Sequence, residues 1–402
     1  MDPDPDSGAC ETAAALARRA SAGFRELTGH DPAGCWAAPG RVNVIGEHTD
    51  YSDGLALPMA IDRQVVIAAA RRPDRVLRMR SLERGETVEL ADVAELDGRG
   101  RSGAPGWASY PAGVVWALRR AGHAVGGADL AIASSLPAGA GLASSAALEC
   151  ATGRALADLH GVALGELDLA RLAQQGENQF VGVPCGIMDQ LASTAGRAGH
   201  ALFLDVRALS VRPIPFDLAA AGLGLLVVDT RTRHQLGDGA YADRRAACDR
   251  AAASLGVPAL RDIALDALDQ ALARLADEPV LVRRVRHVVS ENARVMRAVD
   301  LLAAGQPARL GPLLTASHAS LRDDFEVSCA ELDLGVESAL AAGALGARMM
   351  GGGFGGSLIA LVTEPAAPAI EEAIHAAFAA AGHARPSYFR AVPSAGARRL
   401  TM

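Results

Sequence analysis

The 402-residue chain contains no lysine, and all 39 of its Lys and Arg positions are arginine. A phosphate-binding P-loop ends in Gly-Lys-Ser/Thr, and a protein kinase needs a lysine on its third strand. Neither fold can be built as a working enzyme from this chain, and lysine Schiff-base chemistry is excluded with them. Any nucleotide it handles must be held by main-chain N–H groups, hydroxyls and arginine. The length exceeds that of one ordinary domain, so two domains with a cleft between them are expected.

The net charge of −7 excludes the basic footprint of a nucleic-acid binder. None of the six cysteines forms a C-x-x-C pair, so neither a zinc site nor a dithiol redox site is signalled. Dispersed thiols suit a reducing cytosol, and a cytoplasmic location is expected. Met1 to Ala15 has no basic or apolar leader character, so no signal peptide is expected, and the acidic first dozen residues should carry no catalytic role. Apolar stretches such as Leu218 to Val228 are too short to span a bilayer, and no membrane partner is expected.

Thr12 can cap a helix carrying Leu16, Ala20, Phe24 and Leu27. Ala60 to Ala70 predicts a strand, 76–90 a hairpin around Arg84-Gly85, and Ala128 to Ser134 a short strand. Helical periodicity recurs at 166–180, 239–255, 280–304 and 366–381, with strand-like runs at 201–206, 222–229 and 358–363. The stretch around Pro213 and Pro215 is the expected boundary, dividing the chain into 1–215 and 216–402, two α+β halves.

Three motifs carry chemistry. The first runs from Pro39 to Tyr51 and places Arg41, Asn43, Glu47, His48 and Asp50 within ten residues, punctuated by Gly40 and Gly46. Carboxylates accept from hydroxyl pairs while Arg and His donate, which suits a polyhydroxylated ligand. A solvated loop with local ion pairs accounts for the same residues. The second, Leu136 to Ala147, is a small-residue loop opening a helix. Its backbone can approach an anion at the helix N-terminus, and a first-turn serine can reach Mg²⁺ between phosphates; a plain capped helix entry reads the same way. The third, Met349 to Ser357, contains G-x-G-x-x-G but leads into the strand-like Leu358 to Val362. A dinucleotide fingerprint must lead into a helix, so that reading is rejected. The remaining choice is a tight turn or a close-packed substrate cradle. Glu177 and Asp189, in the Gln175 to Gln190 segment, would not be singled out by chemistry alone.

Taken together and in order, these segments resemble the GHMP kinase superfamily and, within it, the galactokinases. Arg41 to Asp50 matches the galactokinase signature, and Trp107 to Tyr110 resembles the family's Trp-containing segment. Residues 139–146 resemble the superfamily's phosphate loop and 351–356 its C-terminal glycine motif. Ala143 stands where the family has the first of three serines, Ser52 where Asn is frequent, and Ser357 where other small residues occur. The resemblance implies an α+β, two-domain GHMP kinase fold, with a ribosomal protein S5 domain 2-like N-terminal domain and a ferredoxin-like C-terminal domain. It implies ATP and Mg²⁺ as cofactors and phosphorylation of galactose at C1, the first committed step of galactose catabolism, by a monomer or weak homo-oligomer.

By position, the resemblance implies that Arg41 and Asp189 meet at the anomeric hydroxyl. It implies that Glu47, His48, Asp50, Tyr241 and the Gly186 backbone bind the sugar, and that Ser145 and Glu177 bind Mg²⁺. The resemblance also implies that Trp107 lies near adenine and that Gly139, Ala140, Gly141, Leu142, Ala143, Ser144, Ser145 and Gly353 bind the nucleotide. A carboxylate beside Arg41 is expected to have a lowered pKa. The competing readings are an N-acetylgalactosamine kinase or related sugar 1-kinase, a non-catalytic sugar sensor, and a mevalonate- or homoserine-type kinase. The intact phosphate loop disfavours the sensor, and Glu47-His48-Thr49-Asp50 disfavours an acid substrate.

Overall fold

The computed structural model describes residues 11–92, 104, 106–137, 139–233 and 237–401. Ten of the acidic first dozen residues, and Ala138 of the second motif, lie outside them.

The chain opens on helix Ala13–Thr28, capped by Thr12, whose hydroxyl accepts from the Ala15 N–H at 3.2 Å. Strands β1 (Gly34–Asn43), β2 (Leu55–Ala56), β3 (Pro58–Arg71), β4 (Leu77–Ser81), β5 (Glu86–Leu90) and β6 (Ala128–Ser134) follow. Every residue of β1 is buried. Its pleat explains why. Cys35 and Ala37 face a core shared with Leu16 and Phe24 of the first helix, while Trp36 and Ala38 face the larger core on the other side. Helix Ser144–His160 packs against β1 and β3. A strand covered on both faces has no need of alternating polarity.

The remaining strands are β7 (His200–Asp205), β8 (Ser210–Pro215), β9 (Leu223–Arg233), β10 (Gly346–Met350), β11 (Gly355–Thr363), β12 (Ser387–Arg390) and β13 (Arg398–Arg399). They complete a six-stranded sheet ordered β13-β1-β3-β6-β4-β5, a four-stranded sheet ordered β10-β11-β9-β12 and a small β2-β7-β8 sheet. Pro213 and Pro215 lie in β8, at the edge of the small sheet, where a missing N–H costs no ladder bond. The four-stranded sheet shares a second core with helices Gly237–Leu255, Pro279–Ala303, Ala330–Ala341 and Ala367–Ala380. The last strand returns to pair with β1.

The helix expected over 166–180 is α-helical over Glu166–Gln175 and then widens to a π turn over Gly176–Val181. Such turns aim side chains that a regular helix would not, and this one carries Glu177. Among the described residues, no helix is long and apolar enough to cross a membrane.

Candidate active site

The register of β1 against β3 shifts between Pro39 and Arg41. At this bulge the Arg41 N–H donates to the Leu142 carbonyl at 3.1 Å, bringing the second motif against the first. A cleft of about 620 Å³ opens there. It is lined by residues of the first motif, by 141–145, by Glu177, by 182–186 with Met188 and Asp189, by Tyr241, and by 351–354.

Arg41 grips Asp189 with two hydrogen bonds, Nε to Oδ1 and Nη2 to Oδ2, both 2.8 Å. Its Nη1 donates to the Gly141 carbonyl of the phosphate loop. Arg41 is 4% exposed, so its charge is committed to this geometry. The lowered pKa expected for Asp189 does not hold. Burial raises it, and the Arg41 charge offsets that rise only in part, with Glu47 adding to it.

The sugar signature folds into a tight, buried cluster. Glu47 Oε1 accepts from the Gly351 N–H at 2.8 Å. Asp50 accepts from the Tyr51 N–H at 3.1 Å, and its Oδ2 lies 3.4 Å from the Met188 nitrogen. A Cβ on Gly186 would fall 1.7 Å from Asp50 Oδ2, so only glycine permits this approach. Burial, then the charges of Asp189 and Glu47, push the Asp50 carboxyl up to about 6. His48 has a left-handed backbone, φ 57°, and its Nδ1 lies 2.8 Å from the Tyr51 hydroxyl. Burial keeps the imidazole neutral, with a pKa near 3. Its ring packs on Tyr241 and Phe325, with centroids 5.4 and 4.8 Å away.

On the other side, Gly139, Gly141 and Ala143 adopt positive φ and lead into helix Ser144–His160. Glu177 accepts from the Gln190 amide at 2.7 Å and from Cys185 at 3.3 Å. Burial raises its carboxyl to about 7, against the hydrogen bonds of Cys185, Ser145 and Gln190. Among the described residues, no group of three or more His, Cys, Asp or Glu could hold a metal ion. Mg²⁺, however, takes one or two protein oxygens and completes its shell with phosphates and water. The Ser145 hydroxyl and Glu177 supply such a pair at the helix N-terminus, and the donor chemistry fits.

Three expected nucleotide contacts stand apart from the cleft lining. Trp107 sits in the turn Gly106–Ala108, its indole N–H bonded to Glu86 Oε2 at 2.9 Å. Gly139 and Ala140 are also outside the lining, and the Ala140 carbonyl accepts from Ser357 Oγ at 2.7 Å. The third motif connects β10 to β11 as a turn. A Cβ on Gly351 would lie 3.1 Å from the Gly141 carbonyl, so the two glycine loops pack backbone to backbone.

Sequence reasoning missed Glu149 and Gln190. Glu149 is wholly buried, one turn along the helix from Ser145, and shares the Gln190 amide with Glu177 at 3.2 Å. The i, i+4 spacing from Ser145 was the available signal. Tyr51, at the end of the first motif, holds His48 through its hydroxyl, a role its residue type alone does not signal.

Family models match in three places. The galactokinase galactose-binding signature covers residues 22–71, the GHMP kinases N terminal domain 109–197, and the GHMP kinases C terminal model 298–380. The galactokinase of Streptomyces coelicolor is 56% identical over 382 residues, 94% of this chain and 97% of that protein. The chain belongs to the galactokinase family. A second galactokinase, from Streptomyces lividans, is 52% identical over 386 residues and covers 95% of both chains. The crystal structure of Lactococcus lactis galactokinase complexed with galactose superposes with a TM-score of 0.89 at 32% identity, over 95% of this chain and 99% of that one. Methanococcus jannaschii mevalonate kinase, at 17% identity and a TM-score of 0.64, shares the fold alone. The architecture is the two-domain GHMP kinase fold, and the chain is a kinase.

Proposed function

We propose that this galactokinase-family enzyme transfers the γ-phosphoryl group of ATP to the C1 hydroxyl of galactose, giving galactose 1-phosphate and ADP. The observation that carries this reading is the Arg41–Asp189 pair, which lies where the sugar signature and the phosphate loop meet.

The transition state of phosphoryl transfer is loose, so positioning and charge stabilisation outweigh strong base catalysis. Asp189 accepts the hydrogen bond of the reacting hydroxyl and takes its proton as the phosphoryl group arrives. Its raised pKa makes it a better acceptor than an ordinary surface aspartate. Arg41 faces the charge spreading over the transferred group. Glu47, His48, Asp50, Tyr241 and the Gly186 backbone fix the other hydroxyls. The backbone of 141–145 and of Gly353 cradles the phosphates, Gly139 and Ala140 shape the loop behind them, and adenine lies on the side of the cleft toward Trp107. Mg²⁺ would be held by Ser145 and Glu177 and would neutralise the β and γ oxygens. We place the cleft between residues 1–215 and 216–402, and the enzyme in the cytoplasm; the described cysteines are all free.

An ADP-release assay with a panel of sugars tests the reading. Galactose should be used with kcat/KM on the order of 10⁴ above glucose, because a site that hydrogen-bonds a hydroxyl rejects its misplacement. Comparable efficiency on glucose would refute discrimination at C4. Preference for N-acetylgalactosamine would reassign the substrate.

A further inference from the structure

Arg348 is on β10, wholly buried, and absent from the cleft lining. A guanidinium with no water around it must find its partners within the protein. Its Nη1 donates to the carbonyls of Asn43 and Val44, at 3.1 and 3.0 Å. Its Nη2 lies 3.1 Å from Glu47 Oε1 as an ion pair outside hydrogen-bond alignment, and its Nε has no hydrogen-bond partner, so charge proximity rather than a hydrogen bond holds the carboxylate. The same Glu47 oxygen takes the Gly351 N–H, three residues beyond Arg348. One arginine therefore ties the main chain of the sugar loop, and the carboxylate that projects from it, to the strand leading into the glycine turn.

Neighbouring groups finish the grip. Glu291 Oε1 accepts from the Gly46 N–H at 2.9 Å and from Ser317 Oγ at 2.7 Å. His287 Nε2 lies 3.0 Å from the Glu47 carbonyl oxygen. These two bond to main chain of the loop only, whereas Arg348 also reaches the Glu47 side chain.

We propose that Arg348 is a positioning residue for galactose: it sets the orientation of the Glu47 carboxylate and leaves the nucleotide side of the cleft untouched. The proposal rests on the reading of Glu47 as a sugar ligand. Lysine keeps the charge of Arg348 but loses the planar fork that spans carbonyls and carboxylate together.

The test compares Arg348→Lys, Arg348→Gln, Glu47→Gln and the double variant Glu47→Gln/Arg348→Met, in full-length enzyme. KM for galactose and for ATP, galactose affinity by calorimetry, and thermal melting are measured for each. Arg348→Gln should raise galactose KM about tenfold or more, the scale of one lost close charge partner, with ATP KM within about twofold. Arg348→Lys should recover part of the loss. The double variant removes both charges together and should bind galactose no worse than Glu47→Gln, since the two act as one unit. It also supplies the answer if Arg348→Gln does not fold. Equal rises in both KM values alongside a lowered melting temperature would make Arg348 merely structural and overturn the proposal. So would a double variant far worse than Glu47→Gln. Unchanged galactose affinity in Glu47→Gln would instead defeat the assignment of Glu47 itself.

Discussion

The two halves of the cleft are built from different materials. On the proposed sugar side, the side chains of Arg41, Glu47, His48, Asp50 and Asp189 line the cleft, with Asp189 fixing Arg41, Gly351 fixing Glu47 and Tyr51 fixing His48. On the phosphate side, residues 141–145 offer main chain and hydroxyls, and the helix N-terminus supplies the positive end. A polyhydroxylated ring must be told apart from its epimers, which takes directional side chains. A triphosphate needs field and proximity, which backbone can give. On the proposed reading, phosphate binding in this chain needs no lysine.

The sugar side should tolerate almost no change. Gly186→Ala would drive a methyl group into Asp50, and misplacement of about 1 Å can cost about 10² in rate. Galactose kcat/KM should fall by that order with ATP KM nearly constant, checked by steady-state kinetics with each substrate varied. A near-normal variant would mean that the Asp50–Gly186 contact is dispensable.

The phosphate side should fail through metal use instead. Ser145→Ala and Glu177→Gln should each raise the Mg²⁺ concentration for half-maximal rate by about 10–100-fold at saturating galactose and ATP. Unchanged Mg²⁺ titrations in both would remove the pair from that role.

Tyr241→Phe should cost about 2–10-fold in galactose kcat/KM, the range of one neutral hydrogen bond, and narrow the gap to glucose. A constant galactose-to-glucose ratio would show that Tyr241 takes no part in discriminating between the two epimers.

The smallest effect is a pH profile. Asp50 titrates near 6, above the ordinary carboxyl value. Its charged form must accept the sugar hydroxyls, so galactose KM should be flat above about pH 6 and rise below it. The folded state holds this proton more tightly than the unfolded chain. The stability contribution of Asp50 in the sugar-free enzyme therefore increases as pH falls from 7 through 6 toward 4. As pH falls through 6, the Asp50 contribution to the sugar-free melting temperature and the galactose KM should both rise; a galactose KM that stays flat below pH 6 would contradict the assignment.

The same contrast decided what the sequence could reveal. Side-chain chemistry was legible as residue types: Arg41 to Asp50 announces itself by density, Thr12 as a cap, and Arg84-Gly85 as a hairpin turn. Main-chain function leaves only small residues behind, so 139–147 read equally well as a plain capped helix entry. The π turn carrying Glu177 escaped because its periodicity over 166–180 is that of an ordinary helix. Arg348 carries no signal in the sequence because it stands just outside the glycine motif, which begins at Met349. Its partners lie some 300 residues away in the chain. The raised pKa of Asp189 could not be read from Arg41 alone, because burial is a property of the fold.

The central claim is that Asp189 acts on the reacting hydroxyl. Asp189→Ala would leave buried Arg41 unpaired, which can cost about 3–5 kcal/mol of stability, so Asp189→Asn is the cleaner probe. Turnover and galactose binding should be measured on the same preparation, by ADP release and calorimetry. Asp189→Asn should lose turnover on the order of 10²–10⁴, with galactose still bound within about tenfold of wild type. Turnover within a few-fold of wild type would contradict it.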